Sequence, residues 1–189
     1  MKNNRIINAW CMYDWANSVY SLVITTAIFP IYYNAVTTSS SGSDIVSFFG
    51  IEIVNSVLYS YSLSFSFLIL TFFQPILSGI ADFSGNKKLF LRLFMYLGSF
   101  SCMALYFFDG DNVEFGIICS VVASIGFTGS LVFYNAFLPE IASFRDFDRI
   151  SARGYTFGYI GSVILLIICL ILIQMFDSFG FKDSKSRSA

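Results

Sequence analysis

Asp14 places a carboxylate inside a long apolar stretch, and it is the only charged residue between Arg5 and Asp44. A charge inside hydrocarbon is costly, so such residues usually face a bundle interior or a water-filled path and mark a functional site. On a helix, four polar residues form one predicted stripe with it: Asn17, Ser18, Ser21 and Thr25. This pattern fits the binding of a polar solute within a membrane, or the carriage of a proton on the carboxylate.

A second polar pattern runs through the apolar stretch from 115 to 138. It consists of Ser120, Ser124, Thr128, Tyr134 and Asn135. Because lipid disfavours such residues, we expect both patterns to face other helices or water. A second interpretation stays open, since small hydroxyl residues also permit close helix packing without any functional role.

The composition is that of a membrane protein. The chain has 189 residues, is 56% hydrophobic and has 23 Phe, and its mean hydropathy is +0.71. The net charge of −1, without a basic face, argues against a nucleic-acid partner. There is no histidine, and the four cysteines are scattered through apolar segments, so we expect no metal site, disulfide framework or cofactor.

Five stretches are long enough to cross a bilayer as helices. We predict an all-α polytopic membrane helical bundle over residues 1–176, followed by a polar tail at 177–189, with spans at about 10–36, 54–81, 89–108, 115–138 and 154–176. Within the second stretch, residues 59–67 read YSYSLSFSF, an alternation typical of a strand. We predict a helix there, because a lone strand in lipid leaves its backbone polar groups unpaired.

Apart from those of the tail, basic residues are found on one side of the predicted membrane only, and this asymmetry predicts the topology. They precede the first span and follow the second and fourth: Lys2, Arg5, Lys87, Lys88, Arg92, Arg145, Arg149 and Arg153. The connections 37–53 and 109–114 contain none. By the positive-inside rule the N-terminus is cytoplasmic, and the basic tail residues Lys182, Lys185 and Arg187 are the exception.

The loop between the second and third spans, SGIADFSGNKK at 78–88, resembles the signature of the major facilitator superfamily. Asp82, Gly85 and Lys87 match that signature, and Lys88 follows them. The sequence departs from the signature at Ser78, Phe83 and Asn86. In the superfamily this loop latches the two halves of the transporter, so we expect a weaker latch here.

Three further stretches resemble the Atg22-like vacuole effluxers of that superfamily: YDWANS at 13–18, LVFYNAFLPEIA at 131–142 and SARGYTFGYIGS at 151–162. The resemblance implies an N-terminal part of a secondary transporter in a bacterial inner membrane, moving a small organic solute such as an amino acid. It places the first and fourth helices on the central cavity. The implied cavity residues are Asp14, Asn17, Ser21, Thr25, Thr128, Tyr134 and Asn135.

A structural role for Asp14 is also open, since it could accept hydrogen bonds or pair with a cytoplasmic arginine, Arg149 or Arg153, and so hold a closed inner gate. Glu140 at the cytoplasmic end of the fourth span is a similar case and a candidate member of this gate. With no histidine in the chain, proton coupling would use Asp14, Glu52, Glu140 or a residue of the C-terminal half. The seam Gly154, Gly158 and Gly161 predicts close helix packing in the fifth span.

A half of the superfamily fold has six helices, so five suggest a truncated or split product that needs a C-terminal half and cannot transport alone. The alternative is a non-transporting membrane scaffold or a degenerate fragment. No cluster of catalytic residue types suggests an enzyme.

Overall fold

The computed structural model describes residues 2–39 and 42–175. Within those residues, five helical segments are long and apolar enough to cross a membrane, and we name them spans 1 to 5: Asn4–Thr37, Asn55–Ser84, Lys87–Phe107, Val113–Ile141 and Phe144–Gln174. The prediction of an all-α polytopic bundle is confirmed. The tail at 177–189, with its three basic residues, lies outside the described residues.

The elements follow one another along the chain in a simple order. Span 1 contains most of α1 (Lys2–Val19), a π-helix (Tyr20–Ile28) and α2 (Phe29–Thr37). Strands β1 (Ile45–Phe48) and β2 (Ile51–Val54) follow it. Spans 2 and 3 are α3 (Asn55–Ser84) and α4 (Lys87–Ala104), the latter ending in the 3₁₀ turn Leu105–Phe107. Spans 4 and 5 comprise α5 (Val113–Ala136), α6 (Leu138–Ile141), the 3₁₀ turn Phe144–Asp146 and α7 (Phe147–Gln174).

Two helices begin earlier than predicted. Helix α7 begins at Phe147 rather than near 154, and α1 begins at Lys2 rather than near 10. The added turns carry charged side chains such as Arg149 and Arg5, which are exposed. Hydropathy marks the part of a helix that suits lipid, whereas backbone hydrogen bonding continues into the polar ends.

The connection between spans 1 and 2 contains a β-hairpin that the sequence analysis did not predict. Its strands are antiparallel, with Ile45 opposite Val54 and Phe48 opposite Ile51. The two turn residues, Phe49 and Gly50, have positive φ values of 49° and 83°, as a two-residue hairpin turn requires. The backbone N–H of Phe49 donates to Glu114 Oε1 at 3.1 Å, which ties the hairpin to the start of span 4.

Span 2 is helical despite its alternating sequence, as predicted. Its serines donate to carbonyls one turn earlier: Ser60 to Ser56 at 2.8 Å, Ser62 to Leu58 at 2.7 Å and Ser64 to Ser60 at 2.9 Å. This bonding satisfies each hydroxyl within the helix itself. On the buried face, the Ser66 hydroxyl donates to Ser124 Oγ of span 4 at 2.9 Å.

Glycines let the spans approach closely in two places. A Cβ at Gly154 or Gly161 of span 5 would lie 2.6 Å from the Trp10 ring or 2.9 Å from the Trp15 ring of span 1. The predicted glycine seam is therefore confirmed, and its partner is span 1. Between spans 3 and 4, a Cβ at Gly126 would lie 2.5 Å from Gly98 Cα.

The middle of span 1 departs from α-helical geometry. Residues Tyr20–Ile28 form a π-helix, whose hydrogen bonds reach one residue further than those of an α-helix. Pro30 follows and has no N–H to offer the carbonyls of that segment. The Tyr59 hydroxyl of span 2 donates instead to Thr25 O at 3.1 Å, so span 2 satisfies one carbonyl that span 1 leaves free.

Gly126→Ala is expected to destabilise the bundle, because its methyl group would meet the backbone of Gly98 and lie 2.9 Å from Phe94 O. Overpacking of this kind typically costs about 1–3 kcal/mol. The matched control is Gly79→Ala in span 2, where a Cβ has no neighbour within 4 Å among the described residues. Thermal unfolding in detergent should show a lower midpoint for Gly126→Ala only, and equal midpoints for the two variants would contradict the close contact of spans 3 and 4.

Candidate functional site

Asp14 lies on α1 where span 1 contacts span 5, and it is 3% exposed. Ser18, one turn later, donates its hydroxyl to Asp14 Oδ1 at 3.3 Å. Span 5 can approach because residue 158 is a glycine, whose Cβ would lie 3.0 Å from Asp14 Oδ2. Among the side chains that the structure describes, in residues 4–39 and 42–175, no Lys or Arg forms an ion pair with this carboxylate.

A cavity of about 370 Å³ lies between spans 1, 4 and 5, and we name it the Asp14 cavity. Its wall combines the carboxylate with hydroxyl groups, two tyrosines and three apolar side chains: Asp14, Ser18, Ser21, Leu22, Thr26, Phe127, Leu131, Tyr155, Tyr159 and Ser162. Among the residues that the structure describes, no basic side chain lines it. The described wall therefore offers hydroxyl groups and one carboxyl group to a ligand.

The predicted polar stripe of span 1 divides between two sides of the helix. Asp14 and Ser21 line the Asp14 cavity, whereas Asn17 lines a second cavity of about 440 Å³ between spans 1, 3 and 4. Thr25 lines neither cavity, and its hydroxyl is buried without a partner in the described part of the chain. The prediction of one continuous stripe is wrong.

The π-helix explains why the stripe divides. The prediction assumed 3.6 residues per turn, which places Thr25 above Ser21. In the π register the residue five positions later takes that place, and the Thr26 hydroxyl donates to Ser21 O at 2.7 Å. Thr26 therefore reaches the cavity where Thr25 was expected.

The predicted residues of span 4 lie outside the Asp14 cavity. Tyr134 is buried and stacks on Trp10 and Tyr13, with ring centroids 4.3 and 5.2 Å apart. The Thr128 hydroxyl is buried with no partner among the described residues. Asn135 is exposed and lines neither of the two cavities. Span 4 instead contributes Phe127 and Leu131 to the cavity wall.

The model of the protein family described as "Vacuole effluxer Atg22 like" matches residues 2–146 of this chain. The chain belongs to this family. It is 38% identical over 169 residues to the "Uncharacterized MFS-type transporter YxiO" of Bacillus subtilis (strain 168), covering 89% of this chain and 37% of that relative. It is 32% identical over 121 residues to Autophagy-related protein 22 of Gibberella zeae, covering 64% of this chain and 18% of that protein.

The chain thus spans little more than a third of the Bacillus relative. No solved structure is significantly similar to it. Membership of the Atg22-like family, together with the five apolar helices, makes it an integral membrane protein of a transporter family.

In this Atg22-like chain, the loop signature residues form one ion-pair cluster. Lys87 Nζ lies 3.1 Å from Asp82 Oδ1 and 2.8 Å from Glu140 Oε1, so it joins the end of span 2 to the end of span 4. Gly85 ends α3 with a φ of 65°, a conformation that glycine adopts without strain. Lys88 is exposed beside this cluster.

The predicted pairing of Asp14 with an arginine is wrong. Arg149 Nη2 instead lies 2.8 Å from Asp146 Oδ1. The guanidinium of Arg153 lies 5.6 Å from the centroid of the Phe157 ring, one turn further along the same helix. Both arginines therefore have partners within the start of span 5, away from the cavity.

Sequence reasoning missed the contribution of span 5 to the cavity. Tyr155, Tyr159 and Ser162 lie on its wall. These positions are spaced four and three residues apart, which places them on one face of a helix. This spacing is visible in the sequence YTFGYIGS, but its glycines were interpreted only as a helix-packing seam.

Lys87→Met is expected to weaken the cluster, because it removes the cation that Asp82 and Glu140 share. Exposed ion pairs contribute about 0–1 kcal/mol each and weaken with salt. The control is Lys88→Met, which removes the same charge one residue away. Thermal unfolding at low salt should give the lower midpoint for Lys87→Met, with the gap closing at high salt. Identical midpoints at low salt would show that the pairs contribute nothing.

Proposed function

We propose that this chain forms one bundle of a secondary-active transporter, which carries a small organic solute through the Asp14 cavity. The observation that carries the proposal is a buried carboxylate without a basic partner in the described residues, facing a polar cavity between membrane helices. Intramembrane carboxylates of this kind mark substrate paths and proton relays. The family membership supports transport rather than catalysis.

The mechanism that we propose is alternating access. In this proposal a second bundle completes the transporter, which the greater length of the Bacillus relative supports. The solute binds between the two bundles near the middle of the membrane. The two bundles rock against each other so that the cavity opens to one side at a time. The close glycine contacts between span 5 and span 1 support movement of this bundle as a unit.

Amino acids are the solute class that we propose, since the polar wall and modest volume of the Asp14 cavity suit small polar molecules. Asp14 is also the proposed carrier of a coupling proton. Glu140 is engaged with Lys87, and Glu52 lies on the exposed hairpin, so both are less suited to that role.

The placement in the membrane is part of the proposal. The N-terminus lies on the cytoplasmic side, because basic residues stand at the beginning of spans 1, 3 and 5 and not in the connections 37–53 and 109–114. A bacterial inner membrane is the proposed location, which the Bacillus relative supports.

Transport assays on a chimera test the proposal. In it, residues 1–175 of this chain replace the matching segment of the Bacillus relative, and the purified protein is reconstituted in proteoliposomes. Asp14→Asn should lower saturable amino-acid flux about tenfold or more, because hydrogen bonds to a charge are the strong ones. Ser21→Ala, on the same wall, should stay within about threefold of the parent.

Near-parental flux for both variants would remove Asp14 from the mechanism. A chimera that inserts and folds but gives no saturable flux with any solute in an amino-acid panel would contradict the proposed class. It would favour the alternative, a membrane scaffold without transport.

A further inference from the structure

The Asp14 cavity contains a carboxyl group that has no basic partner among the described residues. The carboxylate accepts one hydrogen bond, from Ser18 at 3.3 Å, and is 3% exposed. No basic side chain lies among the described cavity residues, and the two predicted arginine partners on span 5, Arg149 and Arg153, contact Asp146 and Phe157. The charge therefore lacks a partner within the described bundle.

A buried charge is strongly unfavourable unless it is paired and hydrogen-bonded. Replacement of one partner of such a pair is destabilising because the other charge is left alone. The same reasoning applies to a carboxylate whose partner arrives from outside the bundle. Because the Asp14 carboxylate has no basic partner on the described wall, a positively charged group that enters the cavity would pair with it favourably.

The donor set of the wall does not suit a metal ion. Ca²⁺ and Mg²⁺ favour several oxygen ligands that include carboxylates. In the described residues, no group of three or more Asp, Glu, Cys or His side chains is placed to hold a metal. Among the described residues, Asp14 is the one acidic residue on this cavity wall.

The same wall suits an ammonium group. Ser18 and Ser21 present hydroxyl oxygens that accept N–H bonds. Tyr155 and Tyr159 are 69% and 76% exposed, so their rings are open to a ligand. Aromatic faces attract cations, and recognition of ammonium ligands is a recurring use of this interaction.

We propose that the Asp14 cavity recognises its solute by a primary ammonium group, which pairs with Asp14 while the aliphatic part packs on Leu22 and Leu131. This inference rests on the proposed function, because it names the chemical group by which the transported solute is bound. A carboxylate on the same solute finds no basic partner on this wall, so it points toward the second bundle.

Intrinsic tryptophan fluorescence gives a direct test on the chain itself, reconstituted in nanodiscs. The only two tryptophans, Trp10 and Trp15, both lie on α1 near Asp14. The ligands are three compounds with similar carbon chains: 3-methylbutylamine, 3-methylbutan-1-ol and 4-methylpentanoate. The amine should bind about tenfold or more tightly than the alcohol, because an ionic hydrogen bond replaces a neutral one. The acid should bind least.

Two variants assign that preference to one carboxylate. Asp14→Asn keeps the shape and the oxygen that accepts the Ser18 bond but removes the charge, so the amine should bind no better than the alcohol. Asp148→Asn removes an exposed acidic residue outside the cavity wall and should leave the preference for the amine intact. Unfolding midpoints measured in the same nanodiscs confirm that each variant is folded.

The outcomes separate this inference from the proposed function. If all three compounds bind alike, or if Asp14→Asn keeps the preference for the amine, the ammonium assignment is overturned while a solute cavity remains. If none of the compounds changes the fluorescence in a saturable way, the ammonium assignment fails and the Asp14 cavity is not a solute site.

Discussion

The structure depends on one constraint, which is that a charge inside hydrocarbon needs protein, water or a counter-charge around it. Asp14 is nearly fully buried and meets that need only in part, through one hydroxyl bond from Ser18. Gly158 allows span 5 to cover the carboxylate closely, and the remaining side opens to a cavity. Spans 1, 4 and 5 therefore place a carboxyl group, without a basic partner among the described residues, on the wall of a cavity.

The same constraint governs the backbone of the bundle. Where span 1 changes to a π-helix and then meets Pro30, carbonyl groups lose their usual donors, and the Tyr59 hydroxyl of span 2 replaces one of them. The π register also places Thr26 on the cavity wall. Departures from α-helical geometry often coincide with functional sites, and this one adjoins the Asp14 cavity.

Much of the fold follows from the sequence because lipid leaves few alternatives. The five spans, the helix over YSYSLSFSF and the glycine seam were predictable from hydropathy, backbone pairing and residue size. The hairpin was not predicted, since its Ile and Val residues were interpreted as loop between two apolar runs.

In the candidate site, Asp14 and Ser21 were predictable from helical spacing. The presence of Thr26 rather than Thr25 on the cavity wall was not predictable, because a sequence pattern does not reveal the π register. The partners of Arg149 and Arg153 depend on local geometry that spacing does not define.

A solute site in the Asp14 cavity requires that water reach its wall between spans 1, 4 and 5. Labelling with a membrane-impermeant thiol reagent tests it most directly, in a variant whose natural cysteines are replaced by alanine. Ser21→Cys lies on the cavity wall, whereas Ser66→Cys lies in the closed contact between spans 2 and 4. We expect rapid labelling of Ser21→Cys and none of Ser66→Cys. Equal protection of both would contradict a solute site in this cavity.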